Sequence, residues 1–280
     1  MPGYGGDGAP GSRREAGDGK DPERVRVATV IAERVRGARP VEIPGRLCAA
    51  AVGLLPVAGA SVSLRSDGLP VRIGASGDKA SYLAELQATI CDGPCLTAAE
   101  TGAPVLACDL TEGHDLQRWP VFAHQAAELG VGAVYSVPLG DGEVCVGTLD
   151  LYRETPGLLT ERQLWTARLV AGVITVALMA LPREENGARG EQWLSGLATD
   201  HDEIYQAIGM TMAQLGIEGH EALDRMRAYA FAHDLTVLEV ARDMVARRRR
   251  FDGGGFHGGR FDGDDFDGDG FGEGEGGSGG

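Results

Sequence analysis

The stretch AVYSVPLGDGEVCVGTLDLY, residues 133–152, decides the fold. AVYSVPL and EVCVGTLDLY read as two strands, joined across Gly140-Asp141-Gly142. Upstream, ASVSLRSDGLPVRIGAS holds two alternating runs around Ser66-Asp67-Gly68, a hairpin signal. Pro104-Val105-Leu106-Ala107-Cys108 adds a short strand. Helical segments interrupt these strands, one over about Ser81 to Ile90 and one in WPVFAHQAAELG, stopped by Gly130. On the N-terminal side, Val27, Val30, Ile31 and Val35 share one helix face, and a break at Pro40 and Pro44 precedes a second helix, Leu47 to Leu55. On the C-terminal side, Thr160-Glu161-Arg162-Gln163 is a capping box that opens a long helix to about Met179. Strands interrupted by helices, with helices at both ends, imply an α+β domain built on an antiparallel sheet, over residues 22–181.

A polar break over residues 182–190 separates this domain from an all-α segment, 191–250. Trp193, Leu197, Ile204, Ile208, Met212 and Leu215 make an apolar stripe ended by Gly216. Ala222, Leu223, Met226 and Ala230 make a second. Thr236-Val237-Leu238-Glu239 is another capping box, opening a third helix with Val237, Val240, Ala241 and Met244 inward. Three helices in this length form a minimal bundle. The expected core is Ile204, Ile208, Met212, Ala222, Met226 and Val240. Residues 1–21 are rich in Gly, Asp and Pro and read as a disordered leader. Residues 251–280 read as a disordered acidic tail. Phenylalanine recurs there at 251, 256, 261, 266 and 271, a period that fits neither helix nor strand.

The formal charge is -15, of which eight acids and Arg260 place -7 in the tail and leave -8 on residues 1–250. That balance disfavours non-specific nucleic-acid binding, so any such contact must be local. The first twenty residues contain no apolar stretch of the secretory kind. The longest apolar run, Leu169 to Leu181, is too short to span a bilayer and reads as a buried or dimer-facing helix. No membrane role and a cytoplasmic location are expected. Five cysteines (48, 91, 95, 108 and 145) in such a chain read as reduced thiols. Cys91 and Cys95 flank Asp92-Gly93-Pro94 with no paired CxxC to follow, so neither metal nor cofactor is expected.

The bundle resembles the ANTAR domain, a bacterial RNA-binding module of transcription antitermination. Ala207, Gly209, Met210 and Met212 in AIGMTM, Glu221-Ala222 and Met226-Arg227 in EALDRMR, and Ala230 carry the likeness. The segment before it is similar to the GAF sensor domain, through DGPCLTAAETGAPVLACDL (92–110), RWPVFAHQAAELGVGAVYSVPL (118–139) and GTLDLYRETPGLLTERQL (147–164). The two likenesses imply a cytosolic regulator. Its GAF domain would sense an unknown signal, such as a small ligand, and its ANTAR domain would bind paired RNA hairpin loops, keeping a terminator from forming. The apolar helix from Trp165 to Met179, continuing toward Trp193, is the expected seam of a homodimer, which would present two RNA-binding bundles.

Where the family often has lysine after the first alanine of this motif, the chain has Ile208, which cannot contact phosphate. RNA contact is then carried by other cations or is lost. The candidates are Arg225, Arg227, Arg242, Arg247 and Arg248, with Tyr229 as a possible stacking partner. The bland alternatives stay open: a solvated helix face pairing with Glu221 or Asp224, neutralisation of a helix end, pairing of the four terminal arginines with the tail, and a tyrosine that simply packs. The rival function is an interaction or scaffold protein with a degenerate ANTAR domain. A catalytic role is not expected, because no nucleophilic triad or phosphate-cradling loop is evident. Free-methionine sulfoxide reductases share the GAF-type fold, but no cysteine lies in Ala133–Leu139 to complete their set.

Overall fold

A computed structural model describes residues 22–66, 69–140, 144–180 and 199–251, as two compact units divided between Ala198 and Thr199. The expected leader, the linker, Trp193, Leu197 and all but the first residue of the expected tail lie outside the described residues.

In the first unit, α1 (Pro22–Val35) and α2 (Ile43–Leu54) precede β1 (Gly59–Ser66) and β2 (Leu69–Ala75). Then come α3 (Asp78–Ile90), α4 (Pro94–Thr101), β3 (Val105–Ala107), α5 (Gly113–Arg118) and α6 (Pro120–Glu128). β4 (Ala133–Gly140), β5 (Cys145–Arg153) and α7 (Glu161–Met179) complete it. Pro44 sits in the first turn of α2, where its missing N–H breaks no helical bond, so the proline break opens a helix. The five strands form one antiparallel sheet in the order β2-β1-β5-β4-β3.

The central strand, β5, pairs Asp150 with Ser61 of β1 on one side and with Ser136 of β4 on the other. Directly paired residues share a face, and faces alternate along a strand. Ser61, Ser63, Ser136, Thr148 and Asp150 therefore line one face. That face is covered by α3 and α4, in a core with Leu83, Leu86, Ala98, Phe122 and Val134. Val62, Tyr135, Val137, Leu149 and Leu151 line the other and are also buried, beneath α2 and α7. Gly147 is obligatory in β5: a Cβ there would lie 2.1 Å from the Ser63 carbonyl oxygen. α7 begins as expected, with Gln163 N–H donating to Thr160 Oγ1 at 3.3 Å and Thr160 N–H to Gln163 Oε1 at 2.8 Å.

The second unit is three helices, α8 (Thr199–Leu215), α9 (Gly219–Ala232) and α10 (Val237–Val245). Gly216 ends α8 at φ +67 and its N–H donates to the Met212 carbonyl at 2.8 Å. The Thr236–Glu239 capping box opens α10. The core is Ile204, Ala207, Ile208, Ala222, Met226, Tyr229, Ala230, Val237, Leu238, Val240, Ala241, Met244 and Phe251. One expected core residue is corrected: Met212 is 38% exposed, while Thr211 is fully buried and donates to the Ala207 carbonyl. Four-residue steps overshoot a helical turn by about 40° each, so the stripe 204-208-212 drifts off the buried face.

The bundle also reaches one residue further than expected. Phe251 is buried, its ring edge-on to Tyr229 at 5.5 Å, and its N–H donates to Gln214 Oε1 at 2.9 Å. Phe251→Ala should lower the stability of the helical unit by about 3 kcal/mol, read as an earlier denaturant midpoint of helical circular dichroism.

Candidate functional site

The helical unit presents its arginines on α9, on α10 and in the turn that follows. Arg225 Nη2 pairs with Glu221 Oε1 at 3.0 Å, one helical turn before it. Arg227 Nη1 reaches Asp224 Oδ1 at 3.3 Å; its side chain is only 15% exposed, and its buried Nε has no hydrogen-bond partner among the described residues. Arg242 Nε ties α10 to Glu203 of α8 at 2.9 Å. Arg248 and Arg249 share Asp243, at 2.9 and 3.0 Å. Arg247 takes a left-handed backbone (φ 56), is exposed, and makes no ion pair among the described residues.

Tyr229 is 4% exposed, so it is a packing residue and not an open stacking surface. Its ring stacks on His233, lies under the Arg249 guanidinium 4.5 Å from its centroid, and its hydroxyl accepts from Arg249 Nη1. Burial lowers the Arg249 pKa from its usual value. The four terminal arginines thus divide. Arg249 is structural, while Arg247, Arg248 and Arg250 face solvent. Ile208 is 8% exposed and lies against Gly219, so a lysine there would bury its charge in the core. Ile208 is a packing residue of this bundle.

The first unit holds a second polar site that the sequence reading missed. Asp150 is 5% exposed in the middle of the sheet. Thr148 Oγ1 donates to its Oδ2 at 3.4 Å, while its Oδ1 and Ser136 Oγ, both buried, have no hydrogen-bond partner among the described residues. Burial raises the Asp150 carboxyl to about 7, an effect that the Thr148 hydroxyl opposes. Above it, Gln87 of α3 accepts from Cys95 N–H of α4 at 2.8 Å, and Gly93 leaves the space that Gln87 fills. A cleft of about 30 Å³ between α4 and the sheet is lined by Ser63, Cys95, Ala99 and Thr148, room for one or two waters. The only sequence signal was the register of Ser61, Ser63, Ser136, Thr148 and Asp150, which alternation alone would assign to solvent.

A GAF domain model matches residues 39–179. The chain belongs to the GAF domain family. An ANTAR domain model matches residues 194–245, so a GAF unit is followed by an ANTAR unit. Solved structures similar to this chain include the chromophore-binding domain of the bacteriophytochrome RpBphP3 from R. palustris. It is 13% identical over 57% of this chain and 63% of that one, with a TM-score of 0.41. The GAF domain of an Acinetobacter phosphoenolpyruvate-protein phosphotransferase is 9% identical, over 59% of this chain and 99% of that one (TM-score 0.42). The fRMsr of Staphylococcus aureus, in reduced form, is 12% identical over 55% and 93% (TM-score 0.41). No curated protein matches the sequence.

In the ANTAR unit, Arg225 and Arg227 fall on α9, Arg242 on α10, and Arg247 and Arg248 in the turn after α10. In the GAF unit, Cys91 is exposed at φ 53, whereas Cys95 is buried. No group of three or more potential metal ligands occurs among the described residues. None of the described helices is long and apolar enough to cross a membrane.

Asp150 makes the GAF unit pH-sensitive. Its folded pKa of about 7 lies above the ordinary 3.8, so the stability it contributes is full below about pH 4 and is lost as pH rises to about 7. Asp150→Asn should therefore stabilise the protein at pH 8 by up to about 4 kcal/mol and make no difference below pH 4, as measured by chemical denaturation across pH.

Proposed function

We propose that the chain is a cytoplasmic, non-catalytic regulator whose ANTAR unit binds structured RNA and prevents transcription termination, under the control of its GAF unit. The ANTAR match over residues 194–245 carries this reading. Arg247, Arg248 and Arg250, exposed beyond α10, supply phosphate contacts; Arg225, Arg227 and Arg242 supply further contacts once RNA competes for their acids. Two thiols of the GAF unit speak against thiol catalysis: burial pushes Cys48 up to about 12 and Cys95 well above the ordinary thiol range, where neither forms a thiolate. A small ligand entering between α4 and β5 would have to part them, because the cleft there has room for one or two waters.

The second reading is an interaction protein without RNA binding. It is favoured by the acids that neutralise Arg225, Arg227, Arg242 and Arg248. Cross-linking in cells followed by sequencing of attached RNA separates the two. The regulator reading expects enrichment of two-hairpin segments ahead of terminators; no enrichment over a control protein favours the second. With a recovered hairpin, Arg227→Ala should cost on the order of 1–3 kcal/mol. The double variant Arg247→Ala, Arg248→Ala should weaken all RNAs alike and flatten the salt slope by about one per arginine.

A homodimer seated on α7 belongs to the same reading. Thr166, Ala167, Val170, Ala171, Ile174 and Leu178 face the GAF core. Trp165, Leu169, Gly172, Val176 and Met179 follow a 4-3-4-3 spacing on another side, with Val176 68% and Met179 40% exposed. Val176→Glu should convert a dimer to a monomer in sedimentation velocity. A monomeric native protein would remove the seam.

A further inference from the structure

His233 caps the C-terminal end of α9, one turn beyond Tyr229. The two rings stack, with centroids 3.9 Å apart and planes inclined by 12°. His233 Nδ1 lies 2.9 Å from the Tyr229 carbonyl oxygen, so Nδ1–H donates and the ring is pinned twice. The Tyr229 end of this stack is closed by Arg249 and Phe251. The His233 end is exposed, and its ring has no other aromatic or cationic contact among the described residues. A surface histidine ordinarily rotates freely; this one has already lost that freedom on folding.

We propose that His233 is the platform on which one unpaired base of the bound RNA stacks, extending the Tyr229–His233 pair by a third ring. The proposal rests on the RNA-binding reading and names a residue of that interface. Unpaired loop bases splay out and stack on flat side chains, histidine included, and such stacking tolerates any base because each has a π-face. The cations are in place for the attached phosphates. Arg249 fixes the chain against Tyr229, and its neighbours Arg248 and Arg250 leave that point toward solvent. Asp234, next in the chain, and Arg248 and Arg250, on either side of the Arg249 that covers Tyr229, are exposed, so a partner seated here meets charge as well as the ring. Tyr229 therefore acts through His233, which replaces it as the stacking residue.

The test uses the full chain and a two-hairpin RNA recovered by cross-linking, with 2-aminopurine at each unpaired loop position in turn. The native protein should quench one position. His233→Ala should abolish that quench and weaken binding roughly 5- to 100-fold, the range of losing one base–aromatic stack. His233→Phe, which keeps a ring but not the N–H, should restore both to within about threefold. Thermal unfolding of both variants monitors the fold. Binding by His233→Ala within about twofold of native, or a loss that His233→Phe does not recover, overturns the proposal. If the Arg247/Arg248 double variant loses affinity while His233→Ala does not, the RNA-binding reading stands and only the platform falls. If the native protein binds no two-hairpin RNA, both fall.

Discussion

Tyr229 is the residue on which the ANTAR unit closes. Its ring has one neighbour from each source that matters: His233 from its own helix, Arg249 from the turn after α10, and Phe251 from the end of the bundle. Asp243 completes the clamp by holding the same Arg249 and its neighbour Arg248. Without this closure the arginine run would be a loose basic extension of α10. With it, Arg249 is structural, while Arg247, Arg248 and Arg250 are exposed. The packing of a single buried aromatic ring thereby decides which of the four terminal arginines is structural.

Charge sets a second limit. The acids of this unit take up Arg225, Arg227, Arg242, Arg248 and Arg249, so little of the positive field reaches far from the surface. The exposed pairs among them, Arg225 with Glu221 and Arg242 with Glu203, are worth only about 0–1 kcal/mol each, so a phosphate can displace those acids at small cost. Non-specific RNA, which depends on the field alone, gains little from such a surface. A loop that satisfies stacking and hydrogen bonding together gains more. Weak affinity for arbitrary RNA is thus consistent with selective recognition of a structured one.

Much of the architecture was legible because it is local. The capping boxes at Thr160 and Thr236, the glycine stop at Gly216 and the strands β4 and β5 depend on neighbours in sequence, and the structure places them as read. Features decided by distant neighbours were not. Asp150 and its serines alternate as a solvent-facing stripe would, and only the packing of α3 and α4 over them makes them a buried site. α4 was missed because CDGPC invites a reading as a loop, although Pro94 stands in the first turn of that helix. Phe251 shares its spacing with the tail, and nothing local marks it as the one phenylalanine of that series in the described core. Arg227, on a charged stretch of α9, gives no sequence sign that its side chain is mostly buried. His233 gained meaning only from the ring beneath it.

The central claim is that the ANTAR unit acts on a nascent transcript. Single-round transcription in vitro tests it most directly, on a template carrying a cross-linked two-hairpin segment followed by its terminator. The account predicts that the native protein increases read-through, and that the Arg247→Ala, Arg248→Ala double variant does so only at higher protein concentration. Read-through that stays at its protein-free level at every concentration of folded native protein would contradict it.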